Sequence, residues 1–551
     1  MIEIITAFLL AIYTTFCSPV HSDISLAGNF GEPRPNHFHG GLDIKTDGVE
    51  GRPIFAIADG YVSHITIGLS GFGNAVYIHH PNGYTSIYCH LQGFSPLLTA
   101  IARKWQYRHK SFRADIRLSP TDVPVARGQL IAVSGNTGAS QAPHLHLEIH
   151  DTRTGNMHDP YRFLHPYIAD SLAPMAHGLM AYPIEEQGKF CGSSQKQSFP
   201  LISHHLDKAF HAWGKIGFGI WANDYMESTY NRYGVKRTKL YVDGHLVFCS
   251  DVDMIPAEAN MAVNSWGDYE HYLRYGVWYM KSFVDSGIAT FPIFKTSVNG
   301  GIIDFNEERA YELLYVLTDY KGNSSRYGFT VQGKKEDFQP LRNKAPRPIL
   351  RWDRFRILQL PGMQMAIGRG YLADHLQIRP QIRIQPDRLS DSYSLTERSA
   401  PMLRYGTISI QLRKKVKDPS KLYIASDAGY ARYMGGEYRN GWVTGAVREL
   451  AATYQIAYDD QPPVITPVRQ SSWNSDRTIT LGLSDAGSGI AQYEGYIDGQ
   501  FVLFEDVPKS SWIKCRLQDT PVKRKQTRRQ LKVIAKDQRN NIQVYQTFIH
   551  Y

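Results

Sequence analysis

The sequence predicts a mainly β protein built from several modules, and three observations carry that prediction. There are 34 Tyr and 46 Gly among 551 residues; aromatic rings suit pleated, half-buried surfaces, and glycine supplies turns. Short alternating apolar runs recur between glycine turns from about residue 24, as in "RPIFAIADGYVSHITIG" and "GNAVYIHHPNGYTSIYCHL", and a period of two is that of a strand with one buried face. The length exceeds what one hydrophobic core ordinarily serves, so about two to four domains are expected.

Composition narrows the class. Apolar residues make up 42% and charged residues 20%, as in folded globular chains. The net charge is +10 and the pI about 9.1, which suits an anionic partner such as a wall polymer or membrane surface. No nucleic-acid motif and no long Lys/Arg run accompanies it, so no nucleic-acid partner is expected.

Taken in order, residues 1–22 read as a signal peptide. The run "IITAFLLAIYTTF" is too short to span a bilayer and suits an export signal, and "VHS" before Asp23 offers small residues for cleavage. Glu3 departs from the usual basic start, and "TTF" before Cys17 is a poor lipid-attachment box, so lipidation is disfavoured. No second apolar stretch is long enough to span a membrane, so an integral membrane protein is not expected.

Residues 23–170 read as one antiparallel β domain, with "PNGY" as a hairpin turn. A basic insert, about residues 96–118, interrupts it: Arg103, Lys104, Arg108, Lys110, Arg113 and Arg117 stand against one acid, Asp115. Leu97, Ile101 and Trp105 have helical spacing. The plainer reading is a surface helix with a solvated basic face; the functional one is a groove wall facing an anionic polymer.

Residues 171–335 read as a β-sandwich with an insertion near "AEANMAVNSWGDYEHYLRYG", residues 336–460 as a β-rich middle module, and residues 461–551 as a C-terminal module after the linker "YDDQPPVITP". The first and last of these echo each other. "IGFGIWANDY…KLYVDGHLVF" parallels "ITLGLSDAGSGIAQYEGYIDGQFVLF", and each is followed by a strand pair around an "Asp…Asn" turn. Both resemble bacterial immunoglobulin-like modules. Of five cysteines, Cys191 and Cys249 form a candidate disulfide, with buried free thiols the alternative.

The chemistry-bearing residues lie in the N-terminal domain. "HFHGGLD" holds His39, Gly41 and Asp43 in the pattern H-x-G-x-D, with Gly40 and Gly41 allowing a tight bend between the two polar residues. "PHLHLEIHD" puts His144 and His146 on one strand face while Leu145 and Leu147 turn to the core. Imidazole and carboxylate are zinc ligands, and three protein ligands with one open position is the catalytic arrangement. "YCHL" adds His90 on a strand, sharing a face with Tyr88, while Cys89 points the other way into a core.

Together these blocks resemble the lysostaphin-type, or LytM-type, zinc metallopeptidase domain over about residues 30–166. The match runs through H-x-G-x-D, "GRPIFAIADGYVSHI", "YCHL", "VARGQLIAVSGNTG", "PHLHLEI" and "HDPYRFL". The resemblance implies an antiparallel β-sheet core with the site in a groove. It implies zinc held by His39, Asp43 and His146, with His144 as general base and His90 binding the developing oxyanion or orienting water. The function it implies is a zinc-dependent metalloendopeptidase hydrolysing the peptide cross-links of peptidoglycan, with the stem peptides as partner, in the periplasm or at the cell surface. The alternatives are a non-catalytic envelope scaffold or activator of other wall hydrolases, and a secreted protease acting on proteins. Two departures stand out: the insert is longer than the family's usual connection, and the C-terminal modules are not small wall-binding domains, so a glycine-bridge specificity is not carried over. Those modules are expected to serve as spacers, as partner-binding domains or as a cap over the groove.

Overall fold

A computed structural model describes residues 16–227, 229–338, 348–397, 399–400, 402–427, 433–525 and 527–551. The chain is mostly β. Most of the apolar run behind the export expectation lies outside the described residues. Among them, no helix is long and apolar enough to cross a membrane.

The N-terminal unit is an antiparallel sheet. In order across it come Leu26–Gly28, Gly41–Lys45, His144–Asp151, Tyr84–Cys89, Ala75–His79, Gly60–Ile67 and Ala114–Arg117. Alternation drives the assembly: Leu42, Ile44, Ile78, Tyr88, Leu145, Leu147 and Ile149 all face one core and are fully buried. Phe16 and Val20 are buried in the same core. Nearby, the Cys17 N–H donates to Ile57 O and the Phe55 N–H to Pro19 O. The boundary expected at residue 22 falls on the exposed residues 21–23, between the packed Val20 and Ile24.

The basic insert forms a helix, Pro96–His109, whose buried stripe is Leu98, Ala102 and Gln106. Leu97, at the start of the expected apolar face, is 56% exposed, while Ile101 and Trp105 are half-buried. Its basic side is not simply solvated. Arg103 pairs with Glu505, Lys110 Nζ donates to Tyr496 Oη at 3.4 Å, and Tyr107 meets Phe501 with ring centroids 5.5 Å apart. The insert is thus the seat of the C-terminal sandwich.

Three further β units follow. The first, expected as a β-sandwich, is instead one continuous ten-stranded sheet, because the long strands Met175–Phe190 and His205–Asn223 carry the pairing throughout, around Phe190, Phe210, Phe218 and Phe329. Its insertion is helical, and Ala262, Val263 and Trp266 pack against Phe38 and Met157 beside the candidate site. The second pairs a five-stranded with a four-stranded sheet, and the last pairs two four-stranded sheets, each around its own core. All five cysteines are free, so Cys191 and Cys249 are not joined.

Candidate metal centre

Strand register brings the ligand candidates together. The central strand pairs His146 with Asp43 on one side and with Cys89 on the other. His39 sits just before the strand Gly41–Lys45, anchored by its N–H to Glu32 O at 2.9 Å. The result is a knot of three buried side chains. His39 Nε2 and Asp43 Oδ1 are 2.9 Å apart, His146 Nδ1 and Asp43 Oδ1 2.7 Å, and the two imidazole nitrogens 2.9 Å.

The far nitrogen of each ring is committed elsewhere. His39 Nδ1 lies 2.6 Å from Asn29 O, a pure acceptor, so this nitrogen carries the proton. His146 Nε2 lies 2.8 Å from the Glu148 carboxylate, which fixes its proton in the same way. Two imidazole lone pairs and a carboxylate oxygen therefore converge on one point. That donor set fits zinc, and the carbonyl and carboxylate behind the rings are the outer partners such ligands require.

The glycines act differently from expectation. Neither Gly40 nor Gly41 has a positive φ, so no special bend is needed. What both lack is room: a Cβ on Gly41 would meet Leu147 O at 2.2 Å, and one on Gly40 would meet Glu148 Oε1 at 2.6 Å. The motif's glycine lets the ligand strand lie flush against its neighbour.

His144 and His90 flank the knot, His90 buried and His144 partly so. His144 Nε2 is 3.2 Å from Asp43 Oδ1, and its Nδ1 is 2.8 Å from Ala142 O. His90 is not on the strand, which ends at Cys89; it has φ of 60°. This matters because Tyr88 faces the core opposite Leu147. A regular strand would have sent His90 there too. The left-handed turn swings its ring to 4.9 Å from that of His144 and 5.6 Å from that of His146, with Nδ1 donating to Thr137 O at 2.8 Å. Cys89 lies across from His146, buried with Ala75 and Ile87. Burial, with Glu148 and Asp43 nearby, pushes its thiol well above the ordinary range.

Electrostatics follow from burial and crowding. Burial, partly opposed by Asp43, lowers His39 to about 4. Burial and the His146 and His144 rings lower His90 to about 3. Burial opposes charge on His146 as well, yet its hydrogen bonds to Asp43 and Glu148 raise it to about 9, so a metal binding at Nδ1 has to displace a proton there. Burial alone would raise Asp43, but His39, His144 and His146 hold it well below the usual carboxylate range.

Two neighbours were not assigned a role from sequence. Glu148 has the same alternation as His144 and His146 and could have been read from it. Arg34, whose Nη2 donates to Asp43 Oδ2 at 2.7 Å, carries no local signal. His37 is exposed and turned to Pro35 O. His79 and His80 bond Tyr61 and Asp59, away from the site.

Known proteins share this region. Residues 37–99 match peptidase family M23, and residues 347–459 match a Zu5-like domain. An uncharacterized metalloprotease of Haemophilus influenzae is 32% identical over 112 residues, 20% of this chain and 18% of that one. The peptidoglycan DD-endopeptidase ShyA of Vibrio cholerae is 33% identical over 138 residues, 24% of this chain and 26% of that one. Lipoprotein NlpD of Yersinia enterocolitica is 32% identical over 117 residues, 21% of this chain and 94% of that one. The match thus spans about a fifth of the Haemophilus protein, a quarter of the Vibrio protein and nearly all of the Yersinia one.

Proposed function

The chain belongs to peptidase family M23, and from that premise we propose that it is a zinc-dependent metalloendopeptidase cutting peptide cross-links of peptidoglycan in the cell envelope. The observation that carries this reading is the convergence of His39 Nε2, Asp43 Oδ1 and His146 Nδ1 within 2.9 Å of one another, each ring fixed from behind. Zinc held by these three would supply Lewis acidity to the scissile carbonyl and lower the pKa of water at the centre toward about 7.

The chain's own residues do the rest. With Nδ1 held by Ala142 O, His144 turns Nε2 toward the centre, 3.2 Å from Asp43 Oδ1, where it would accept the proton of attacking water. The resulting imidazolium then gives that proton to the leaving amine. His90 is neutral at working pH and its Nδ1 proton is spent on Thr137 O. Its Nε2 therefore accepts, which suits orienting the water better than binding an oxyanion. Arg34 steadies the Asp43 oxygen that faces away from the imidazoles. Exported location and stem-peptide substrate are part of the proposal, supported by the relatives' names and by the basic charge. All five site residues are present, which weighs against a non-catalytic scaffold.

The test is to incubate the zinc-loaded chain with purified cross-linked peptidoglycan and read the muropeptides by mass spectrometry. Conversion of dimers to monomers is expected. Intact dimers alongside cleavage of a protein substrate would overturn the wall-lytic reading.

A further inference from the structure

A second cluster of charged groups lies outside the His/Asp centre. Asp170 is in the linker that leaves the N-terminal unit, Asp224 follows the strand His205–Asn223, and Asp319 opens the turn between Ala310–Thr318 and Ser324–Gly333. One carboxylate oxygen from each lies within 4.8 Å of the other two. Such a gathering of like charge is unfavourable unless something compensates it.

The hydrogen-bonding pattern shows what is missing. Asp319 is organised: Oδ1 accepts from the N–H groups of Gly322 and Asn323, and Oδ2 from Asn323 Nδ2 at 2.6 Å. Asp224 is only 3% exposed, and its Oδ1 is buried with no hydrogen-bond partner. Asp170 Oδ2 is buried and unpartnered in the same way. Lys321 is the cation felt by Asp170, but its ammonium donates to His165 O; Glu227 adds a further negative charge. Burial first, then mutual repulsion, pushes Asp170 to about 7 and Asp224 to about 8.

The arrangement is built twice. Asp459 lies in the linker before the last sandwich, Asp485 follows the strand Thr478–Ser484, and Asp537 ends the strand Arg528–Asp537; their oxygens again lie within 4.8 Å. Asn541 bonds Asp537 through N and Nδ2 as Asn323 bonds Asp319. Linker aspartate, strand-end aspartate and Asp-x-x-x-Asn turn recur at the same three stations.

We propose that Asp170, Asp224 and Asp319 hold one calcium ion, which fastens the linker leaving the catalytic unit to the first β module. An all-oxygen set with no imidazole or thiolate selects a hard cation. Carboxylates drawn from three separate loops suit the adaptable coordination of calcium better than the strict octahedron of magnesium.

The test uses the full zinc-loaded chain dialysed free of calcium, with calcium or magnesium chloride added. Calorimetric titration counts equivalents bound, and thermal melts follow stability. The wild type takes up calcium in preference to magnesium and melts several degrees higher. Asp224→Asn binds one equivalent fewer and keeps its zinc. In calcium-free buffer it melts no lower than wild type, because an uncharged amide replaces a buried carboxyl crowded by two others. Asp170→Asn, in the linker, gives the same loss and serves if Asp224→Asn misfolds. No calcium uptake by the wild type, equal uptake of magnesium, or unchanged uptake by both variants overturns the proposal.

Discussion

At the scale of single residues, each candidate ligand depends on the group behind it. Glu148 is the clearest case, since its carboxylate decides which nitrogen of His146 faces the centre. Glu148→Gln keeps the shape and weakens that control. Zinc affinity, measured by competition with a chromogenic chelator, should fall by about 10–100-fold; an unchanged affinity would mean the outer partner is idle. Spacing made His39, Asp43, His144 and His146 legible as one group: i and i+2 on a strand share a face, and H-x-G-x-D puts two donors at one strand's start; which of the two strand histidines takes the metal came only from the family resemblance. His90 was found by its motif, but its placement was not. Alternation sends residue 90 into the core with Tyr88, and only the left-handed backbone at that position brings it to the site. Arg34 could not be read, because it reaches Asp43 across a loop and no periodicity reports that.

At the scale of elements, the flush packing of the ligand strand against the central strand is what holds the centre. Gly41→Ala drives a methyl group into Leu147 O. It should destabilise the fold by about 1–3 kcal/mol and lower zinc content together, read by denaturant titration and metal analysis. The short helix Tyr161–Leu164 gives a second element-level expectation. Asp159 accepts from the Tyr161 N–H at 2.8 Å, and burial raises its carboxyl from 3.8 to about 7. A carboxyl that holds its proton more tightly when folded contributes stability at low pH. That stability is present below about 4 and is lost as pH rises through about 7. Asp159→Asn should flatten this slope, on the order of a few kcal/mol, in melts recorded across that window. The strands were legible as alternation and the insert as a helix. The buried face of that helix was shifted by one residue, from Leu97 to Leu98, because the sequence does not show which neighbour the helix meets.

At the scale of the whole molecule, several cores are strung on one chain, and the ends meet. The C-terminal sandwich rests on the basic insert through Arg103–Glu505, and Lys509 Nζ donates to Gly138 O at 2.7 Å. Gly138 adjoins Thr137, whose carbonyl holds His90. The echo between the first and last β modules was visible in sequence. Their return to the N-terminal unit was not, since contacts some 400 residues apart leave no local trace. Arg103 and Glu505 are both partly exposed, so Glu505→Ala should change stability by less than about 1 kcal/mol. A larger loss would mean the contact holds the assembly together. The central claim is that His39, Asp43 and His146 hold the metal while His144 performs proton transfer beside it. Zinc content and the rate of cross-link cleavage, measured side by side on His144→Ala and His146→Ala, test it most directly. His144→Ala should keep its zinc and lose about 10²–10⁴-fold in kcat, whereas His146→Ala should lose both. Zinc lost from His144→Ala, or full activity retained by it, would contradict the account.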